Sequence, residues 1–313
     1  MKPFSILTFG AAVLFTPFVT HPASAQTPPA VEKMNAYVGF LNRLSARSYD
    51  SRARYFSWAG KDGPTGRERI IYGTYTIYDT SGCVKDVEEA NGLEPHDAAL
   101  EAAATAYAKA VARLEPLLKE ADDYYTQQNY KDDKMAKGRA LHPLLVAAWN
   151  DFESADKTLR SNVEAINDRR ALEKLAAIEQ SEGKQARYHV EALMIQAKRV
   201  IRVEDGAKPD VAKITAALND FEAAVRGAEG FSGAGGGAKN DAKIGSMFIS
   251  NAKEFLTTAK QLMRRIRDHV PYSSGDKMML GNQGTGWMVE GSPPRLMRDY
   301  NQLVDAYNRG ARI

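Results

Sequence analysis

The chain has 313 residues and a formal net charge of +3, from 42 Lys and Arg against 39 Asp and Glu. Balanced charge of this kind describes an ordinary solvated surface and excludes the strongly basic face that nucleic acid requires. A hydrophobic fraction of 44%, with 14 Tyr and 11 Phe, supplies a packed core and excludes wholesale disorder.

Residues 1–25 read as an export signal. Lys2 is a short positive region, Phe4 to Phe18 is an apolar run interrupted by Pro17, and Ala23-Ser24-Ala25 is a small-x-small cleavage site. The mature chain is expected to start near Gln26 and to be periplasmic. No cysteine stands at the cleavage site, so a lipoprotein anchor is not expected. No later run approaches the length of a membrane span. The single cysteine, Cys83, has no intrachain partner, so stability must come from packing. Cys83 itself reads as a small, partly buried apolar residue.

The mature chain then reads as helix after helix. A first short stripe is Val31, Met34, Val38, Leu41. Residues 60–95 break the pattern with Gly, Pro, Thr and Tyr; Arg69 to Asp79 reads as a short strand or an extended arm. The clearest stripe follows: Leu100, Ala104, Tyr107, Val111, Leu114, Leu118, Ala121, Tyr125. Its steps alternate four and three, which keeps every member on one helical face. Pro95 suits the first turn of that helix, and Pro116 lies inside it but off the stripe, where a kink is expected. A second stripe runs Leu141, Leu145, Ala148, Phe152, Ala155, Leu159, Val163, Ile166, with Leu172, Leu175 and Ile178 as an extension beyond Arg169-Arg170. This predicts one helix of more than ten turns, bent near Pro143. Further stripes are Val190 to Val200, Val211 to Val225, Phe248 to Ile266 and Leu296 to Tyr307. Between them, residues 227–245 read as a Gly-rich flexible connector and 271–294 as a long loop. The expectation is an all-α fold, an elongated multi-helix bundle in a single domain over 26–313. Each helix has one apolar face to bury against its neighbours.

Di-iron bundles use Glu-x-x-His pairs, and none of the residues three before His96, His142, His189 or His269 is acidic. There is no His-Glu-x-x-His and no Gly-x-Ser-x-Gly, and the glycines at 233–237 are not followed by Lys-Ser or Lys-Thr. Ser-x-x-Lys occurs at Ser154, Ser181, Ser250 and Ser274 without its companion elements, as chance predicts in a Lys-rich helical chain. Gly281 to Gly286 follows no strand and reads as a loop. Arg264, Arg265 and Arg267 read as cations near a helix C-terminus, complementing its dipole. No cofactor, metal or catalytic residue is expected.

The segment joining the two longest helices carries the most chemistry. Tyr124, Tyr125 and Tyr130 can pack a ligand or stack on a sugar ring, with Asp132, Asp133 and His142 as polar or metal partners. The structural reading of the same residues makes Asp132 or Asp133 an N-cap, and makes Gly138 a point of close helix approach. The same segment, Tyr124-Tyr125 and then Lys131-Asp-Asp-Lys-Met-Ala-Lys-Gly-Arg-Ala-Leu-His142-Pro143, resembles the signature of the YiiG-like family, a bacterial domain of unknown function. Met34 to Tyr37, Ser246 to Ile249, Leu262 to Arg264, Tyr300-Asn301 and Tyr307-Asn308 agree with it. The resemblance implies an exported, mostly helical protein of the envelope and supplies no catalytic residues. Lipoprotein relatives carry a Cys that this chain lacks. Two functions are therefore entertained. The first is a non-enzymatic binding or interaction protein, its partner an envelope protein or a small ligand. The second is a ligand-binding or hydrolytic protein of the cell-wall space that uses Tyr124 to His142 and the 271–294 loop.

Overall fold

The computed structural model describes residues 28–204, 209–233, 243–282 and 284–311. The export signal read at 1–25 and residues 234–242 of the expected connector lie outside them. Among the described residues the fold is all-α, with ten α-helices and no strand; Gly60 and Gly63 form one isolated bridge. No helix there is long and apolar enough to cross a membrane. The chain divides into two compact units, residues 1–167 and 168–313.

The first unit opens with α1 (Pro29–Phe40), a π-helical turn at Leu41–Ser45 and α2 (Ala46–Trp58). The turn changes the buried face. Met34, Tyr37, Phe40, Leu41 and Leu44 are buried, whereas Val31 is exposed and Val38 half-buried, so the expected first stripe lies slightly off the true face. From the end of the turn onward, the buried positions through α2 are Ser45, Ser48, Ser51 and Tyr55. A serine face carries no hydrophobic period, which is why α2 escapes a pattern search.

The segment at 60–95 splits in two. Its second part is a helix, α3 (Thr80–Asn91), not irregular chain, and it buries Cys83, Val87 and Ala90. Its first part is an extended arm without a strand partner. The arm lies along α2, which holds its backbone with side chains. Arg47 Nε donates to the Thr76 carbonyl at 3.2 Å, and Arg54 Nε donates to the Tyr72 carbonyl at 2.8 Å. Ser51 Oγ donates to the Tyr75 carbonyl at 2.6 Å and accepts from the Tyr75 amide at 3.1 Å. Trp58 Nε1 donates to the Gly73 carbonyl at 2.9 Å. Positions 47, 51, 54 and 58 step by four, three and four, so one helical face supplies what a neighbouring strand would.

Two long helices complete this unit. α4 (Ala98–Thr126) is capped by Asp97, whose carboxylate accepts from the Leu100 amide at 3.0 Å. Pro95 therefore precedes the cap rather than entering the first turn. All eight residues of the α4 stripe are buried, and Pro116 sits on the exposed face. α5 (Ala136–Glu182) is one helix of 47 residues, and its stripe from Leu141 to Ile166 is buried throughout. The proposed extension is not: Leu172 is 55% exposed and Leu175 half-buried, and only Ile178 is buried. A polar knot ties the unit together. Buried Asp156 accepts from Ser45 Oγ, from Tyr49 Oη at 3.2 Å and from Arg160 Nε at 2.8 Å.

The second unit contains the end of α5, then α6 (Ala186–Glu204), α7 (Val211–Gly233), α8 (Ser246–Arg267), α9 (Ser274–Leu280) and α10 (Pro293–Ala306). α6 packs on α7, α7 on α8 and α8 on α10. Leu193, Val200, Ile214, Phe221, Phe255 and Leu303 fill its core. Phe221 meets Phe255 edge-on at 5.3 Å. The connector begins later than expected, because 227–233 continue α7. The loop at 271–294 is largely organised. Ser273 and Asp276 form a capping box for α9, and Ser292 caps α10 with Pro293 in its first turn. In the cationic end of α8, Arg265 donates to the carbonyls of Pro271 and Glu290 at 3.2 and 3.1 Å and stands over the Tyr272 ring.

Candidate functional site

The link between α4 and α5 reverses the chain through a tight turn. Tyr124 and Tyr125 end α4, a 3₁₀ turn spans Asn129–Lys131, and Lys134 and Met135 both take positive φ, 52° and 68°. Two successive left-handed residues without glycine are costly, and fully buried Met135 anchors them.

Asp133 caps α5. Its carboxylate accepts from the amides of Ala136 at 3.2 Å and Lys137 at 2.9 Å, and from Tyr124 Oη at 2.7 Å. The Lys137 amide, with the Tyr124 hydroxyl and the Ala136 amide, holds the carboxyl below its usual range. Burial, with Asp133 as acceptor, pushes the Tyr124 hydroxyl up to about 12. Asp132 faces solvent beside it. Gly138 is where the turn closes on the tyrosines. A Cβ there would lie 2.5 Å from Met135 Sδ, 3.0 Å from Tyr125 Oη and 3.2 Å from Tyr124 Cε1.

The three tyrosines do converge. Tyr124 and Tyr125 meet at 5.0 Å, and Tyr130 stands 6.4 and 6.5 Å from them. Tyr124 and Tyr125 are buried, and only Tyr130 is half-exposed. Tyr125 also meets Trp58 edge-on at 5.0 Å, and burial drives its hydroxyl far above the phenol range. His142 lies on α5 and belongs to a second aromatic group. Its Nε2 donates to the Lys61 carbonyl at 3.2 Å, so its Nδ1 accepts from Tyr55 Oη at 2.9 Å. The ring stacks on Tyr55 at 5.8 Å, and Tyr55 touches Trp149 at 5.3 Å. Gly63, at φ 98°, leaves room for the imidazole, since a Cβ there would lie 2.9 Å from His142 Cγ.

The six predicted residues thus form a tyrosine cluster capped by Asp133, with His142 held separately by Tyr55 and Lys61, and Asp132 apart in solvent. Sequence reasoning missed Tyr55, Phe56, Trp58 and Trp149, which build the aromatic surround. Tyr55 lies on the serine face of α2, which carries no apolar period to signal it. Among the described residues, no three His, Cys, Asp or Glu side chains group so as to hold a metal ion.

A family model described as protein of unknown function (DUF3829) matches residues 29–309. The chain belongs to this family. It is similar to the uncharacterized protein YiiG of Escherichia coli (strain K12), 37% identical over 284 residues that cover 88% of this chain and 78% of that protein. No solved structure matches the chain. The match embraces both compact units of this family member, from α1 into the π-helical turn after α10.

Proposed function

We propose that this member of the family is a non-enzymatic binding protein of the bacterial envelope, exported by residues 1–25 and periplasmic after cleavage at Ala25. One observation carries the reading. Two chemistry-capable groups of the Tyr124 to His142 segment, Asp133 and His142, are engaged by the fold itself. Asp133 is spent on two helix amides and Tyr124, and His142 on Tyr55 and Lys61. Groups fixed in this way serve architecture, and a catalytic acid, base or nucleophile needs a free edge toward substrate.

The test has two parts. Purified mature protein, incubated with panels of glycosidase, peptidase, esterase and phosphatase substrates, is expected to show no turnover. Robust turnover abolished by one substitution would overturn the reading. Cell fractionation is expected to find the protein in the soluble periplasmic fraction with Gln26 at its N-terminus. A cytosolic protein starting at Met1, or retention in membranes through an alkaline wash, would refute the location.

A further inference from the structure

We propose that the groove between α2 and the extended arm, on the first unit, binds a small saccharide bearing a carboxylate. The groove is shallow and open to solvent, with about 560 Å³ of space over Arg47, Asp50, Arg54, Ser57, Tyr72 and Tyr75.

Two arginines there are fixed without a carboxylate. Arg47 spends Nε on the Thr76 carbonyl at 3.2 Å and stands 4.0 Å over the Tyr75 ring. Arg54 spends Nε on the Tyr72 carbonyl at 2.8 Å and one terminal nitrogen on Tyr75 Oη at 2.9 Å, and stands 4.4 Å over the same ring. Among the described residues neither guanidinium has an acidic partner. Arg52, on the same helix, shows the ordinary alternative, an ion pair with Glu153 at 2.9 Å. Both terminal nitrogens of Arg47 remain unspent among the described contacts, and this end-on fork matches the two oxygens of a carboxylate. Because backbone carbonyls and a ring already orient both groups, little side-chain entropy is lost on binding.

The other walls choose among anions. Asp50 is exposed on the same face and repels a polyphosphate or any densely charged anion. It accepts hydrogen bonds from hydroxyls, as a sugar ring offers, and Ser57 adds a further hydroxyl. Tyr72 is 48% exposed and presents a ring on which the apolar face of a sugar can stack. One acid group, several hydroxyls and a flat face together describe an acidic mono- or disaccharide.

The inference rests on the reading of the chain as a binding protein, and calorimetry separates the two. Mature protein is titrated with glucuronate, galacturonate and N-acetylmuramate, with their neutral parents glucose, galactose and N-acetylglucosamine, and with inorganic tripolyphosphate. At least one acidic sugar is expected to bind saturably, about tenfold or more tighter than its neutral parent, with tripolyphosphate weaker. Tyr72→Ala is expected to weaken that sugar about tenfold with the thermal midpoint unchanged, and Arg47→Gln to weaken it about as much while lowering the midpoint through the lost bond to Thr76. Asp50→Asn is expected to admit tripolyphosphate. No saturable acidic sugar, tripolyphosphate as the tightest ligand of the unaltered protein, or Tyr72→Ala binding like the parent would each overturn the proposal. Should Arg47→Gln fail to fold, Tyr72→Ala decides, because that ring is exposed and its contact is to Arg54. A silent groove without turnover leaves the wider reading standing. Turnover of a bound sugar would sink the wider reading and keep the groove.

Discussion

At the scale of single residues, the family's central segment is a steric and capping device. Gly138 is its tightest point: adding one methyl meets Met135 Sδ and Tyr125 Oη. Gly138→Ala is expected to destabilise the protein by about 1–3 kcal/mol, the usual cost of overpacking, read as a lower denaturant midpoint. An unchanged midpoint would show that the tyrosine cluster yields freely. Glu204 offers a second test. It is 7% exposed, neither carboxylate oxygen has a hydrogen-bond partner among the described residues, and burial raises its pKa to about 8. The folded state therefore holds a proton that the unfolded chain releases above the ordinary range. This favours folding below the unfolded pKa, and the advantage is lost as pH rises toward 8. Across that window stability is expected to fall by up to about 1.4 kcal/mol per pH unit from this group. Glu204→Gln should flatten the decline in melting curves between pH 5 and 8, and parallel curves would refute the assignment. The structural half of the sequence reading was legible here. An Asp followed three and four residues later by helix amides is a local feature, and Asp133 fills it. The partners of His142 were not, because Tyr55 and Lys61 lie 87 and 81 positions away in sequence.

At the scale of elements, stripes dominated by large apolar side chains were read correctly and polar-faced elements were not. The α4 stripe and the α5 stripe from Leu141 to Ile166 bury all their members because Leu, Val, Tyr and Phe at a strict helical step report one face directly. α2 buries serines, and the arm has no strand partner, so neither has a period to find. What joins them is the ladder from Arg47 to Trp58, visible only once both elements are placed. The ladder predicts a local effect. Ser51→Ala removes both bonds to Tyr75 and is expected to cost about 1 kcal/mol or somewhat more. It should also speed amide hydrogen exchange at residues 72–76 while leaving α4 protected. Uniform protection would mean that other contacts hold the arm.

At the scale of the whole molecule, helix α5 runs through the boundary between the two compact units, from Ala136 to Glu182. We propose that a helix shared in this way couples their unfolding, so that 26–313 melts as one domain. Scanning calorimetry is expected to give a single transition whose calorimetric and van't Hoff enthalpies agree. Two transitions, or two protease-resistant fragments that fold separately, would mean two domains. Cys83 carries a consequence at this scale. It is fully buried, and burial pushes its thiol up to about 12, so it is neither a nucleophile at neutral pH nor a partner in an intrachain bridge. The fold therefore owes nothing to the redox state of the compartment that houses it. A chain started at Gln26 and made in a reducing cytosol should reach the same melting temperature as the exported form, with or without thiol reagents. The proposed leader would then act as an address alone, and the route of delivery would leave no chemical mark on the folded chain.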